Sequence, residues 1–137
     1  MKMETKLIHF SEGIELESGK KLNSFDLMVE TYGELNEGKS NAILLCHAFS
    51  GNHHAAGSSE DFGIGWWDQL VGPNKSIDTN KYFVVCCNNL GGCAGSSGPS
   101  SVDPSSQKIF GKSFPQVSVL DWVNSQKMLM DKLNIEC

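Results

Sequence analysis

The chain contains no arginine; all 11 of its basic side chains are lysines. Arginine is the usual bidentate clamp for carboxylates and phosphates, so such recognition here falls to lysine or to backbone amides. No basic cluster exceeds the pair Lys20-Lys21, and the formal net charge is -5. Nucleic acid and anionic membrane surfaces are therefore not expected partners. No apolar run approaches transmembrane length, and no apolar segment follows the charged start Met1-Lys2-Met3-Glu4-Thr5-Lys6, so neither a span nor a secretory signal is read. The five cysteines (46, 86, 87, 93 and 137) form no C-x-x-C pair. Zinc-ribbon and thioredoxin readings fail, a disulfide scaffold is not expected, and a reduced, cytoplasmic setting is the expectation. Cys46, Cys86 and Cys87 lie in apolar runs and read as small buried thiols.

What is present is organised around Ala42-Ile43-Leu44-Leu45-Cys46, followed by His47-Ala48-Phe49-Ser50-Gly51. The apolar run is too continuous for a half-solvated strand and reads as a parallel strand buried on both faces. Open α/β sheets keep their chemistry beyond the C-terminal ends of such strands. Lys81 to Asn88, with Phe83-Val84-Val85-Cys86-Cys87, reads as its parallel neighbour. Upstream, residues 7–17 and Leu22 to Tyr32 suggest an antiparallel edge hairpin turning at Ser18-Gly19-Lys20-Lys21. Pro73 bounds any short helix after Trp66-Trp67, and the two indoles read as core and loop anchors. A long loop runs from Asn89 to Pro115, a length usually reserved for function. Ser118-Val119-Leu120-Asp121 fits a capping box, and Trp122, Gln126, Leu129, Met130 and Leu133 form the apolar stripe of a helix. Asn134 to Cys137 reads as the lead-in to another strand. The chain is read as one α/β domain over residues 1–137.

Several of these stretches together resemble one family. His47-Ala48-Phe49-Ser50-Gly51, Gly65-Trp66-Trp67-Asp68, Gly72-Pro73, Ile77-Asp78-Thr79, Asn88-Asn89-Leu90-Gly91-Gly92-Cys93, Gly95-Ser96-Ser97-Gly98-Pro99-Ser100-Ser101 and Phe114-Pro115 resemble homoserine O-acetyltransferases of the α/β-hydrolase superfamily. The resemblance covers the chain from about residue 7 onward, in the family order. It implies the N-terminal part of an α/β-hydrolase fold: an antiparallel edge hairpin, then parallel strands and helices. It also implies that the backbone amide of Phe49 helps form an oxyanion hole, one of two amides that steady the tetrahedral intermediate of acyl transfer. The implied reaction passes an acyl group from acetyl-CoA, as co-substrate, to L-homoserine through an acyl-serine, a step of methionine biosynthesis. Succinyl transfer, or serine as acceptor, occurs in related enzymes. No cofactor or metal is implied, and family members are often homodimers.

The chain departs from the family in one respect. None of its serines stands in a Gly-x-Ser-x-Gly elbow. The family's nucleophile, its Asp and His, and its carboxylate-binding arginine are expected beyond Cys137, and a separately encoded C-terminal half is one expected partner. The isolated chain is expected to be inactive and to fold poorly, because the edge of the Ile43–Cys46 strand lacks its next neighbour. A non-enzymatic remnant or subunit-pairing protein is the reading from another class. His47 is read as a structural hydrogen-bonding group rather than a catalytic base. His53 and His54 point apart and are not read as metal ligands. Cys93 is read as a packed thiol, Gly91 to Gly95 as no dinucleotide fingerprint, and Asp68 and Asp103 as local turn or cap groups.

Overall fold

The computed structural model describes residues 1–136; Cys137, the last residue of the expected strand lead-in, lies outside the described residues. Four strands form the main sheet: β1 (Met3–Phe10), β2 (Phe25–Tyr32), β3 (Ala42–Leu45) and β4 (Phe83–Cys87), in the order β1-β2-β4-β3. β1 and β4 both run antiparallel to β2, and β3 lies parallel to β4 with Phe83 opposite Ala42 and Cys86 opposite Leu45. The continuous apolar runs thus form the parallel pair, as their patterns require.

Alternation along the strands sends side chains to two cores. Phe25, Leu27 and Val29 of β2 join Val85 and Cys87 of β4 on the face covered by Leu129 and Met130 of helix α1 (Val119–Lys132). Tyr32 of β2 joins Val84 and Cys86 on the opposite face, against Ala55, Ala56 and Val71. α1 begins with the expected capping box: Ser118 Oγ accepts from the Asp121 amide and Asp121 Oδ2 accepts from the Ser118 amide. Asp121 also accepts from the Glu17 amide through Oδ1 at 2.9 Å, so the shorter acid fixes the helix to the N-terminal segment as well. Of the expected stripe, Gln126, Leu129 and Met130 are buried and Trp122 and Leu133 half-buried.

Several expectations need correction. β1 begins at Met3 and ends at Phe10, which stacks on Phe25 at 4.6 Å; beyond it the chain forms a separate two-residue ladder, Ile14–Glu15 with Lys21–Leu22. β3 is packed on both faces, yet Ala42, Ile43 and Leu44 are only half-buried, because among the described residues β3 is the sheet edge. No helix precedes Pro73; Val71–Gly72 and Ile77–Asp78 form a parallel ladder there. The long loop after β4 contains a ladder of Val102–Asp103 with Lys108–Ile109 and a 3-10 turn, Gly111–Ser113. Among the described residues no helix is long and apolar enough to cross a membrane.

Candidate active site

Where β3 ends, the backbone turns sharply. The Gly51 amide donates to Ala48 O at 2.8 Å, closing a four-residue turn with Phe49 and Ser50 at its centre. Among the described residues, the Phe49 amide donates to no protein acceptor. Its side chain is 89% exposed, and its ring centroid lies 6.2 Å from that of Trp122. The turn forms one wall of a cleft of about 550 Å³ at the C-terminal ends of the parallel pair, with Asn89, Gly92, Phe114 and Trp122 among its other lining residues. Such a cleft is where an open α/β sheet binds its ligands.

The opposite wall is the stretch after β4. The Asn88 amide donates to Met28 O and the Ser97 amide to Asp26 O, so this loop continues along β2. Ser96 Oγ and Ser97 Oγ accept from the Met28 and Asp26 amides at 2.9 and 2.8 Å. Asn88 Oδ1 accepts from the Ala94 amide, and Gly91 N–H donates to Ser97 O. These bonds consume amides that a phosphate cradle would have to present, in keeping with the absence of a dinucleotide fingerprint. Helix α1 holds the loop from behind: Trp122 Nε1 donates to Leu90 O at 2.8 Å, and Gln126 Nε2 donates to Asn89 Oδ1 at 3.0 Å.

His47 is structural, as read from the sequence. Its imidazole is buried, with Nδ1 2.6 Å from Ala48 O and Nε2 3.1 Å from the Asn89 nitrogen. A carbonyl only accepts and an amide N–H only donates, so Nδ1 carries the proton and Nε2 is bare.

Behind the turn lies a polar knot that the sequence did not reveal. Glu30 and Tyr32, on the same face of β2, meet the segment 53–56 that follows the turn. Tyr32 OH donates to Glu30 Oε2 and accepts from the Ala55 and Ala56 amides at 2.7 and 3.1 Å. His54 Nδ1 lies 2.8 Å from Glu30 Oε2, and its Nε2–H donates to Gly63 O at 3.1 Å. Thr5 Oγ1 donates to the other Glu30 oxygen at 2.9 Å. Burial first, then Glu30, pushes the Tyr32 phenol well above its usual range, so it stays a donor. The only available signal was a glutamate inside an alternating strand, at a position in phase with Tyr32. Close packing completes this region: a Cβ at Gly65 would lie 2.3 Å from the Ala56 nitrogen.

The remaining candidates divide. His53 and His54 are both buried but differ in their partners: among the described residues His53 Nδ1 has none, and burial lowers the His53 pKa. Among the described residues no group of three ligating side chains could hold a metal. Cys93 and Cys46 are exposed, contrary to their reading as buried thiols, because one sits on the cleft loop and the other at the edge-strand terminus. Cys86 and Cys87 are buried as expected, and burial pushes both thiols up, that of Cys87 to about 12. Trp66 and Trp67 are tilted against each other at 5.1 Å and more than a third exposed; Trp66 Nε1 donates to Asn52 O, so the pair anchors a loop but is not core. Asp68 accepts from the Gly57 amide and pairs with Lys75, and Asp103 caps its own turn through Ser105.

No protein-family model matches the chain. It is 61% identical over 132 residues to a protein from Hahella chejuensis named homoserine O-succinyltransferase, covering 95% of this chain and 34% of that one. Among solved structures, esterase E22 superposes with a TM-score of 0.87 at 35% identity, covering 98% of this chain and 38% of the esterase. Homoserine O-acetyltransferase from Bacillus anthracis superposes with a TM-score of 0.85, also at 35% identity, over 97% of this chain and 37% of that one. The chain spans about a third of the length of the curated relatives it matches. It carries the N-terminal part of an α/β-hydrolase fold, and over nearly its whole length it is a homologue of proteins named as homoserine acyltransferases.

Proposed function

We propose that these residues supply the oxyanion-donor wall of an enzyme that transfers an acyl group from acyl-CoA to the hydroxyl of homoserine. The unpartnered Phe49 amide at the mouth of the cleft carries this reading. In acyl transfer, negative charge develops on the carbonyl oxygen as the tetrahedral intermediate forms. A backbone N–H already fixed in place stabilises that charge without reorganising, and loss of one such donor costs about 10²–10³ in rate. The cleft wall, mostly apolar through side chains such as Phe114 and Trp122, would exclude water around the acyl group.

The nucleophile, its base and the second amide donor come from sequence outside these residues, since no serine here stands in a nucleophile elbow. A longer polypeptide or a separately made C-terminal segment would provide them. The acyl-serine would form from acyl-CoA with release of the thiol, and the homoserine hydroxyl would then take the acyl group. The resemblance of the motifs favoured acetyl; the 61% identity to a protein named as a succinyltransferase supports succinyl. A chimera in which this chain replaces the matching third of the Hahella chejuensis relative tests the reading. It should release thiol from succinyl-CoA in the presence of homoserine faster than from acetyl-CoA, whereas the 137-residue chain alone should release none. Thiol release by the chain alone, or by the chimera without dependence on homoserine, would overturn it; the second outcome would favour the hydrolysis that the esterase likeness brings to mind.

A further inference from the structure

The peptide that carries the Phe49 amide is the one that carries the Ala48 carbonyl. In a trans peptide these two groups point in opposite directions within one rigid plane, so whatever fixes the carbonyl aims the N–H. Two donors hold Ala48 O: the Gly51 amide at 2.8 Å from within the turn, and His47 Nδ1 at 2.6 Å from the side. A carbonyl oxygen has two lone pairs, so both bonds are accommodated together.

We propose that His47 is a positioning residue that sets the plane of the Ala48–Phe49 peptide, and so aims the oxyanion donor into the cleft, by donating from Nδ1 while its Nε2 is held by the Asn89 amide. The proposal rests on the reading of Phe49 as that donor.

The imidazole cannot reverse its roles. Moving the proton to Nε2 would set an N–H against the Asn89 N–H at 3.1 Å and a bare nitrogen against the Ala48 carbonyl at 2.6 Å, two repulsive contacts in a buried place. The ring is also held sterically. A Cβ at Gly51 would lie 3.0 Å from His47 Cβ and 3.1 Å from Nδ1, so glycine makes room for the ring against the turn. The line of contacts runs further back, since Asn89 is itself held by Gln126 of α1. A helix, the loop after β4 and an imidazole are thereby linked to one peptide plane. The same two bonds draw electron density toward the carbonyl and leave the N–H a better donor.

Free imidazole side chains favour the Nε2–H tautomer, so the structure requires the less common one, and this is measurable without substrate. Long-range ¹⁵N–¹H NMR on the intact chain should show His47 protonated on Nδ1 and bare at Nε2. A proton on Nε2, or the averaged signal of a freely exchanging ring, would overturn the proposal. Two variants extend the test. His47→Asn places its amide nitrogen where Nδ1 stands and should keep the Ala48 carbonyl and Phe49 amide resonances near their wild-type positions. His47→Gln, whose polar atoms reach the Nε2 position instead, should shift both. Equal shifts in the two variants, or none in either, would contradict the proposal. Since none of these readouts involves turnover, a wrong tautomer would remove His47 from its role while leaving Phe49 to be judged by acyl transfer.

Discussion

Removing one oxygen from the knot behind the turn should have a disproportionate effect. Tyr32→Phe keeps the ring in its fully buried place and deletes only the hydroxyl. That hydroxyl accepts from the Ala55 and Ala56 amides and donates to Glu30. Both alanines are fully buried, so water cannot take over. Each buried donor left unpaired costs about 1–3 kcal/mol, and losing the need to desolvate the hydroxyl itself offsets part of the sum. Glu30 keeps His54 and Thr5 as partners, so its carboxylate adds little. The expected loss is about 2–4 kcal/mol. Urea unfolding of the two proteins side by side would measure it. The midpoint should fall with the slope unchanged, since the surface exposed on unfolding is the same. A loss under about 1 kcal/mol would show that the 53–56 segment does not depend on the Tyr32 oxygen, and the account of how the turn is supported would fail.

Burial lowers the His53 pKa, so the unfolded chain binds a proton there more readily than the folded one. The stability this group contributes is complete above the unfolded value of about 6.5 and is lost as pH falls below it. His53→Leu should therefore flatten the stability profile measured between about pH 7 and about pH 5 by thermal unfolding. Alkylation of the native protein, read by peptide mass spectrometry, should modify Cys46 and Cys93 well before Cys86 and Cys87; labelling of all four at one rate would contradict their burial. Gly65→Ala should destabilise by about 1–3 kcal/mol, because the new methyl meets backbone atoms of Ala55 and Ala56 that have no rotamer by which to move away. Denaturant unfolding measures this, and a neutral result would mean that the two segments can separate freely.

The readable parts of the fold were those where local pattern and tertiary place agree. Ala42–Leu45 and Phe83–Cys87 are continuous apolar runs and form the parallel pair. The capping box at Ser118 and the stripe through Gln126, Leu129 and Met130 set α1 and its buried face. Less readable was anything fixed by partners distant in sequence. The exposure of Cys46 follows from its place at an edge-strand terminus, which no local pattern reveals. The polar knot joins Thr5, Glu30, Tyr32 and His54 across three separate segments, and each residue alone looks ordinary. The short ladders around Val71 and Val102 are only two residues long, too brief for periodicity to register. At the site, motif resemblance led to Phe49 and His47, but the hydrogen bonds of His47 and Gly51 to the Ala48 carbonyl have no signature in the sequence.

If the Phe49 N–H stabilises an oxyanion, deleting that N–H alone must slow acyl transfer. Phe49 occupies the second position of the Ala48–Gly51 turn, where proline is well tolerated. Phe49→Pro in the chimera should thus keep the turn and lose the donor, while Phe49→Ala keeps the donor and loses the exposed ring. Thiol release from succinyl-CoA, measured with homoserine present, should fall about 10²–10³-fold in the proline variant and change little in the alanine variant. Equal rates for proline and wild type would contradict that role of the Phe49 N–H.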